Sequence, residues 1–306
     1  MPPPPEISVY ESYMKSEKLE SEMEETGEGG HVFWFGKKDA RNVLFYIHGG
    51  GFVLPLGNFY PSFLGYLYKQ LDIRGVDFSI AMLSYSVYPD APFPLVLKQT
   101  ISALNSLINA GLSPQRIHLC GDSSGGNVIL QLLSHILHPL EDVPSIALQT
   151  QPFGSIILMS PWVSMTADSP SHFRETGRDF LGRKVLKEWG AVTLDYIASF
   201  GDAGKHLTPY LEGAKAPDDW YSGVQALAPY VLITAGEYEL LLDDIESFLK
   251  MFRTRHGEVT YFLEEGAMHV SPLADGFFNE TNRTTPTTQK IIDWLEARCK
   301  ATEQTK

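Results

Sequence analysis

The chain has 306 residues, 43% of them hydrophobic and 20% charged, with a formal net charge of −13 at pH 7. That apolar fraction supports a buried core and excludes a largely disordered chain, while the negative charge, with no basic cluster to offset it, argues against nucleic acid and anionic membranes as partners. No apolar run approaches the roughly 20 residues needed to span a bilayer, and Met1 to Pro5 lacks the basic start and apolar core of a signal peptide, so the expectation is one domain in the cytoplasm.

Residues 1 to 30 are acidic and poor in strand pattern, with Ile7, Tyr10 and Met14 spaced for one helical face; they are expected to form cap material outside the alternating core. Asn42 to Ile47 reads as a buried strand that ends in His48-Gly49-Gly50-Gly51, where glycines let backbone N–H groups approach a substrate oxygen. Phe78 to Tyr85 is a second strand, and Pro94 to Ala110 a helix with Leu97, Ile101, Leu104 and Ile108 facing the core. Arg116 to Cys120 is a short apolar strand feeding Gly121-Asp122-Ser123-Ser124-Gly125, and Asn127 to Leu137 reads as an apolar helix. A serine with glycine two residues away on either side, between a strand and a helix, fits a sharp turn that exposes its hydroxyl.

Ser155 to Met159 is the strand after the elbow helix and leads into the turn Ser160-Pro161-Trp162. Residues 164 to 224 interrupt the alternation and are rich in aromatic side chains, Trp189 and Phe180 among them; they are expected to complete the cap and to line an apolar pocket. Tyr230 to Gly236 is a buried strand followed by Glu237, Glu239, Asp243 and Asp244, carboxylates that also suit a helix N-terminus. Leu241, Ile245, Phe248 and Phe252 mark the core face of that helix and put Glu239 at its start, ahead of the alternative Asp243. Glu258 to Leu263 is strand-like, and the loop after it carries His269; Ile291, Ile292 and Leu295 anchor a final helix.

A serine hydroxyl is a weak nucleophile at neutral pH and needs a base, which in turn needs an orienting carboxylate. His172, His206, His256 and His269 all follow Ser123, but His256 precedes its strand and sits at the wrong end, whereas His269 follows one. The expected set is therefore Ser123 as nucleophile, His269 as base and Glu239 as acid.

These segments resemble the hormone-sensitive-lipase-like branch of the α/β-hydrolase superfamily, which includes fungal steryl acetyl hydrolase-like proteins and carboxylesterases. Besides the two glycine motifs, the resemblance rests on Tyr85-Ser86-Val87-Tyr88-Pro89-Asp90-Ala91-Pro92-Phe93-Pro94 and on Ser160-Pro161-Trp162-Val163, and it covers Asn42 to the C-terminus. It implies an α/β fold with a mainly parallel central sheet, helices on both faces and a helical cap. It also implies Gly50, Gly51 and Ser124 as oxyanion donors. Where the family has aspartate-proline-leucine at the acid, this chain has Glu239-Leu240-Leu241. The implied activity is cleavage of a small hydrophobic ester through an acyl-enzyme, without a cofactor. Amide cleavage, a biosynthetic hydrolysis or cyclisation by the same residues, and a non-catalytic ligand receptor on the same scaffold are the alternatives.

The remaining motifs point elsewhere. Cys120 and Cys299 are not expected to pair, in keeping with a reducing interior. His135 and His138 have no further ligands beside them, so no metal site is expected. Asn279-Glu280-Thr281 and Asn282-Arg283-Thr284 match glycosylation sequons but read as a polar loop. Oligomeric state is not legible in the sequence.

Overall fold

A computed structural model describes residues 5–174, 177–278 and 284–303. Its centre is an eight-stranded sheet in the order β1-β2-β4-β3-β5-β6-β7-β8. The strands are β1 (Glu22–Glu25), β2 (His31–Phe35), β3 (Asn42–Ile47), β4 (Phe78–Ser84), β5 (Ile117–Asp122), β6 (Ser155–Met159), β7 (Val231–Gly236) and β8 (Val259–Glu264). The pairs β1/β2 and β2/β4 are antiparallel, and every pair from β4 through β3 to β8 is parallel. Strands buried on both faces read as unbroken apolar runs, which is why β3, β4, β5, β6 and β7 stand out in the sequence.

Helices cover both faces. Along β3, Val43, Phe45 and Ile47 point into one core and Leu44 and Tyr46 into the other, the alternation a strand between two layers must have. On the first side lie α3 (Leu95–Asn109), α4 (Ser124–Leu137) and α9 (Leu242–Phe252); on the second lie α1 (Pro5–Ser16), α2 (Phe59–Ile73) and α11 (Pro286–Glu303). The segment between β6 and β7 carries α5 (Arg183–Ala198), α6 (Asp202–Lys205), α7 (Thr208–Leu211) and α8 (Val224–Leu227), while α10 (Ser271–Phe278) follows β8. Leu186, Ile197, Tyr210 and Tyr221 are buried and join the first core, so the 164–224 segment is packed onto the sheet domain.

α1 lies on the body of the protein: Tyr10 stacks on Phe33 of β2 with ring centroids 4.8 Å apart, and its hydroxyl donates to the Trp34 carbonyl at 2.6 Å. β1 extends the sheet beyond β2 as its edge. Its sequence, Glu-Met-Glu-Glu, shows no apolar alternation because an edge strand with mostly exposed side chains has no face to bury, and charge there also discourages pairing with another chain. The sequons at Asn279 and Asn282 lie outside the described residues.

Because β3 and the strands after β4 are parallel, their C-terminal ends share one edge of the sheet. The chain runs from β3 outward to β4 and then returns to place β5 on the other side of β3. Loops leaving β3 and β5 therefore diverge and open a crevice, the position where α/β sheets bind ligands.

Candidate active site

Ser123 sits between β5 and α4 with φ 51° and ψ −119°, a conformation that L-residues rarely hold and that costs on the order of 1–3 kcal/mol. The surroundings enforce it. Ser123 N–H donates to the Met159 carbonyl at 3.0 Å, and its own carbonyl accepts from Trp162 N–H at 2.9 Å and from Asn127 N–H at 3.2 Å. The turn must also nestle against β3: a Cβ on Gly125 would lie 2.0 Å from the Ile47 carbonyl oxygen, so that position excludes every larger residue. Ser124 then opens α4, whose first N–H groups point back toward the serine.

The glycine loop after β3 is held by Asp122. This buried carboxylate accepts from Gly49 N–H at 2.9 Å, Tyr46 hydroxyl at 2.7 Å and Tyr60 hydroxyl at 3.2 Å. Burial pushes its pKa up to about 6, against the pull of those donors and of His269. From the other side the Tyr85 hydroxyl donates to the His48 carbonyl at 2.7 Å while its ring stacks on the His48 imidazole at 4.1 Å. His48 Nδ1–H donates to the Gly49 carbonyl at 2.7 Å, and burial lowers the pKa to about 4, so this histidine is neutral and structural. Gly50 and Gly51 have φ of 112° and 64°, and a Cβ on Gly51 would meet the Trp189 ring of α5 at 2.2 Å. The Gly51 N–H donates to Ser124 Oγ at 2.9 Å.

Glu239 and His269 arrive from the ends of β7 and β8. Both are buried, and His269 Nδ1–H donates to Glu239 Oε2 at 2.7 Å while Oε1 accepts from Gly236 N–H at 3.0 Å. With the proton on Nδ1, Nε2 is the basic nitrogen. Burial alone would lower the His269 pKa, but the hydrogen bond and charge of Glu239, with Asp179 and Asp122 behind them, outweigh it and raise the pKa above the usual histidine value. Ser123, His269, Gly50, Gly51 and Asp122 line one cavity of about 440 Å³ whose other walls include Leu54, Phe59, Phe180 and Trp189. That volume falls in the range of small-molecule sites, about 300–1,000 Å³.

The other sequence candidates are placed elsewhere. Asp243 accepts from Ser171 N–H at 2.7 Å and from Arg174 at 3.0 Å. His172 pairs with Asp244 at 2.7 Å, and His256 Nε2 bonds the Ala228 carbonyl at 2.6 Å. His135 and His138 bond the separate carbonyls of Pro144 and Trp220.

A family model for the alpha/beta hydrolase fold matches residues 44–273. The chain belongs to this hydrolase family. An esterase of Acinetobacter venetianus is 26% identical over 245 residues, which cover 80% of this chain and 72% of that one. Human hormone-sensitive lipase is 31% identical over 120 residues, 37% of this chain but 11% of the lipase. A crystal structure of EstE5 soaked with ethyl alcohol superimposes with a TM-score of 0.71 at 22% identity, covering 98% of this chain and 94% of that one. Within the family, the relatives of this chain include hormone-sensitive lipase. It is a carboxylesterase-type hydrolase.

Two features of this hydrolase escaped the sequence reading. Asp122 was visible only as a small residue in the elbow motif, yet its carboxylate fixes the facing loop across 73 residues of sequence. Asn127 donates to the Trp162 and Leu211 carbonyls at 2.8 and 2.7 Å, tying the elbow helix to the turn after β6 and to α7. A buried asparagine two residues past the glycine motif, on an otherwise apolar helix, was the available signal.

Proposed function

We propose that Ser123, His269 and Glu239 form the catalytic triad of an esterase acting on small hydrophobic carboxylic esters. The observation that carries this is the buried Glu239–His269 hydrogen bond of 2.7 Å, made by a histidine that shares its cavity with a serine at a strained strand-to-helix turn. In the first step His269 Nε2 takes the Ser123 hydroxyl proton as Oγ attacks the ester carbonyl, and the carbonyl electron pair moves onto oxygen. Collapse of that tetrahedral species breaks the bond to the alcohol, which leaves with the proton from imidazolium. Water then attacks the acyl-serine by the same base, releasing acid and restoring the hydroxyl.

Backbone N–H groups of Gly50, Gly51 and Ser124 are the proposed oxyanion donors, each worth about 100- to 1,000-fold in rate where such donors have been removed. For Gly51 this requires its N–H to exchange Ser124 Oγ for the oxyanion, two acceptors on one donor. Residues 164–224 act as the cap, since Trp189, Phe180 and Leu181 close the cavity above Ser123 and make its walls apolar. A hydrophobic substrate follows from those walls.

The test is hydrolysis of a p-nitrophenyl ester series of increasing acyl length, run with the wild type and with Ser123→Ala. The reading expects turnover that the substitution removes. Ligand binding without turnover in the wild type would instead support the receptor alternative.

A further inference from the structure

Glu239 and His269 stand on separate loops that bond each other upstream of the pair, Tyr238 N–H to the Ala267 carbonyl at 2.8 Å and Gly266 N–H to Glu237 Oε2 at 2.8 Å. A third element spans both. Asp179, half-buried in the stretch between β6 and α5, accepts the Leu240 N–H at 2.8 Å through Oδ2. Its Oδ1 accepts the His269 N–H at 3.4 Å and the Leu181 N–H at 3.3 Å. One carboxylate thus holds the backbone next to the acid and the backbone of the histidine itself.

Neighbouring residues seat the same stretch. The Arg178 guanidinium lies over the Tyr238 ring at 4.5 Å, one residue before Glu239, and the Phe180 ring stands 5.8 Å from the His269 imidazole. Upstream, Ser171 hydroxyl donates to the Leu240 carbonyl at 2.6 Å, so Leu240 is bonded to the cap through both its N–H and its C=O. None of these contacts belongs to the hydrolase chemistry, and a cap that served only as a roof would not need them.

We propose that Asp179 is a positioning residue that locks the acid loop to the histidine loop and so aligns the Glu239–His269 pair when the cap is seated. This inference rests on the triad reading above. A carboxylate suits the role because hydrogen bonds to an ionised acceptor are about twice as strong as neutral ones. The charge has a second consequence. The charged groups facing the imidazole are Glu239 from the β7 end, Asp122 from the β5 end and Asp179 from the cap, and all three favour its protonated form. Removing one of them shifts the His269 titration to lower pH.

The experiment uses the full chain with Asp179→Asn and Asp179→Ala and two readouts. NMR titration of the His269 ring, assigned by comparison with His269→Gln, needs no turnover; the proposal expects a lower pKa in both variants and loss of the sharp Nδ1–H resonance in Asp179→Ala. Ester kinetics should show kcat falling about 10-fold in Asp179→Ala, the size of one misaligned hydrogen bond, with KM changed much less. Asp179→Asn keeps one acceptor oxygen and recovers part of kcat. An unmoved His269 titration in both variants, or a loss confined to KM, overturns the proposal. If Asp179→Ala fails to fold, the Nδ1–H resonance and kcat of the isosteric Asp179→Asn carry the decision. Should the wild type hydrolyse no ester, the triad reading falls, and the Nδ1–H resonance still decides whether Asp179 sets the Glu239–His269 pair.

Discussion

Replacing Glu239 with glutamine keeps the size and shape of the side chain while removing what the site requires of it. In the native arrangement both carboxylate oxygens accept: Oε1 from Gly236 N–H at 3.0 Å and Oε2 from His269 Nδ1–H at 2.7 Å. A carboxamide has one acceptor and one donor end, and both neighbours are donors. If the amide oxygen faces His269, the NH₂ group meets the Gly236 N–H in a buried site, donor against donor. If the NH₂ faces His269, Nδ1 must become the acceptor, and the proton moves to Nε2, where it abolishes the base that Ser123 needs. The second arrangement satisfies every hydrogen bond and is the one that should form. The same substitution in a serine protease triad, aspartate to asparagine, lowers kcat about 10⁴-fold through the wrong tautomer. A fall of about 10³- to 10⁴-fold, or roughly 4–5.5 kcal/mol of barrier, is therefore expected here. Stopped assays on a short-chain p-nitrophenyl ester resolve that range, provided circular dichroism matches the wild type. A variant within 10-fold of wild type would refute the role of Glu239, whatever the distance in the structure.

Two further outcomes follow from the same geometry. The neutral imidazole is the active form, and Glu239, Asp179 and Asp122 raise its pKa, so kcat/KM should fall as pH drops through a midpoint above 6.5; a midpoint at or below 6.5 contradicts the electrostatics described. Ser124→Ala removes the acceptor that occupies the Gly51 N–H, and because one neutral hydrogen bond contributes about 0.5–1.5 kcal/mol, kcat should rise roughly 2- to 10-fold; a fall would mean that the hydroxyl holds the loop in place rather than competing with the oxyanion.

The legible parts of the sequence were those where burial dictates residue type. β3, β5 and β7 are buried along their whole length, and each ends where the apolar run gives way to glycine or a polar residue. β1 was illegible for the opposite reason: at the sheet edge its pairing is made by backbone groups, which leave no trace in Glu-Met-Glu-Glu. The choice between Glu239 and Asp243 turned on local geometry. Glu239 lies in the turn before α9 and bends back to the N–H of Gly236, whereas Asp243 is within the first turn of the helix and reaches out to Ser171. Helical periodicity hinted at that difference. Asp179 had no signal of its own, since the partners that join it to the acid and histidine loops lie 61 and 90 residues away and only the folded chain brings them together. The occupied Gly51 N–H was equally hidden: Ser124 reads as a small residue in a glycine motif, and its hydroxyl finds a partner 73 residues upstream.

The most direct measurement is the site of covalent capture by a fluorophosphonate, which phosphonylates a serine with loss of fluoride only when a neighbouring base takes its proton and donors hold the resulting oxyanion. Intact-mass and peptide analysis should find one adduct, on Ser123, formed rapidly in the wild type and absent from Ser123→Ala and His269→Gln. An unmodified wild type, or an adduct on another residue, would contradict the triad.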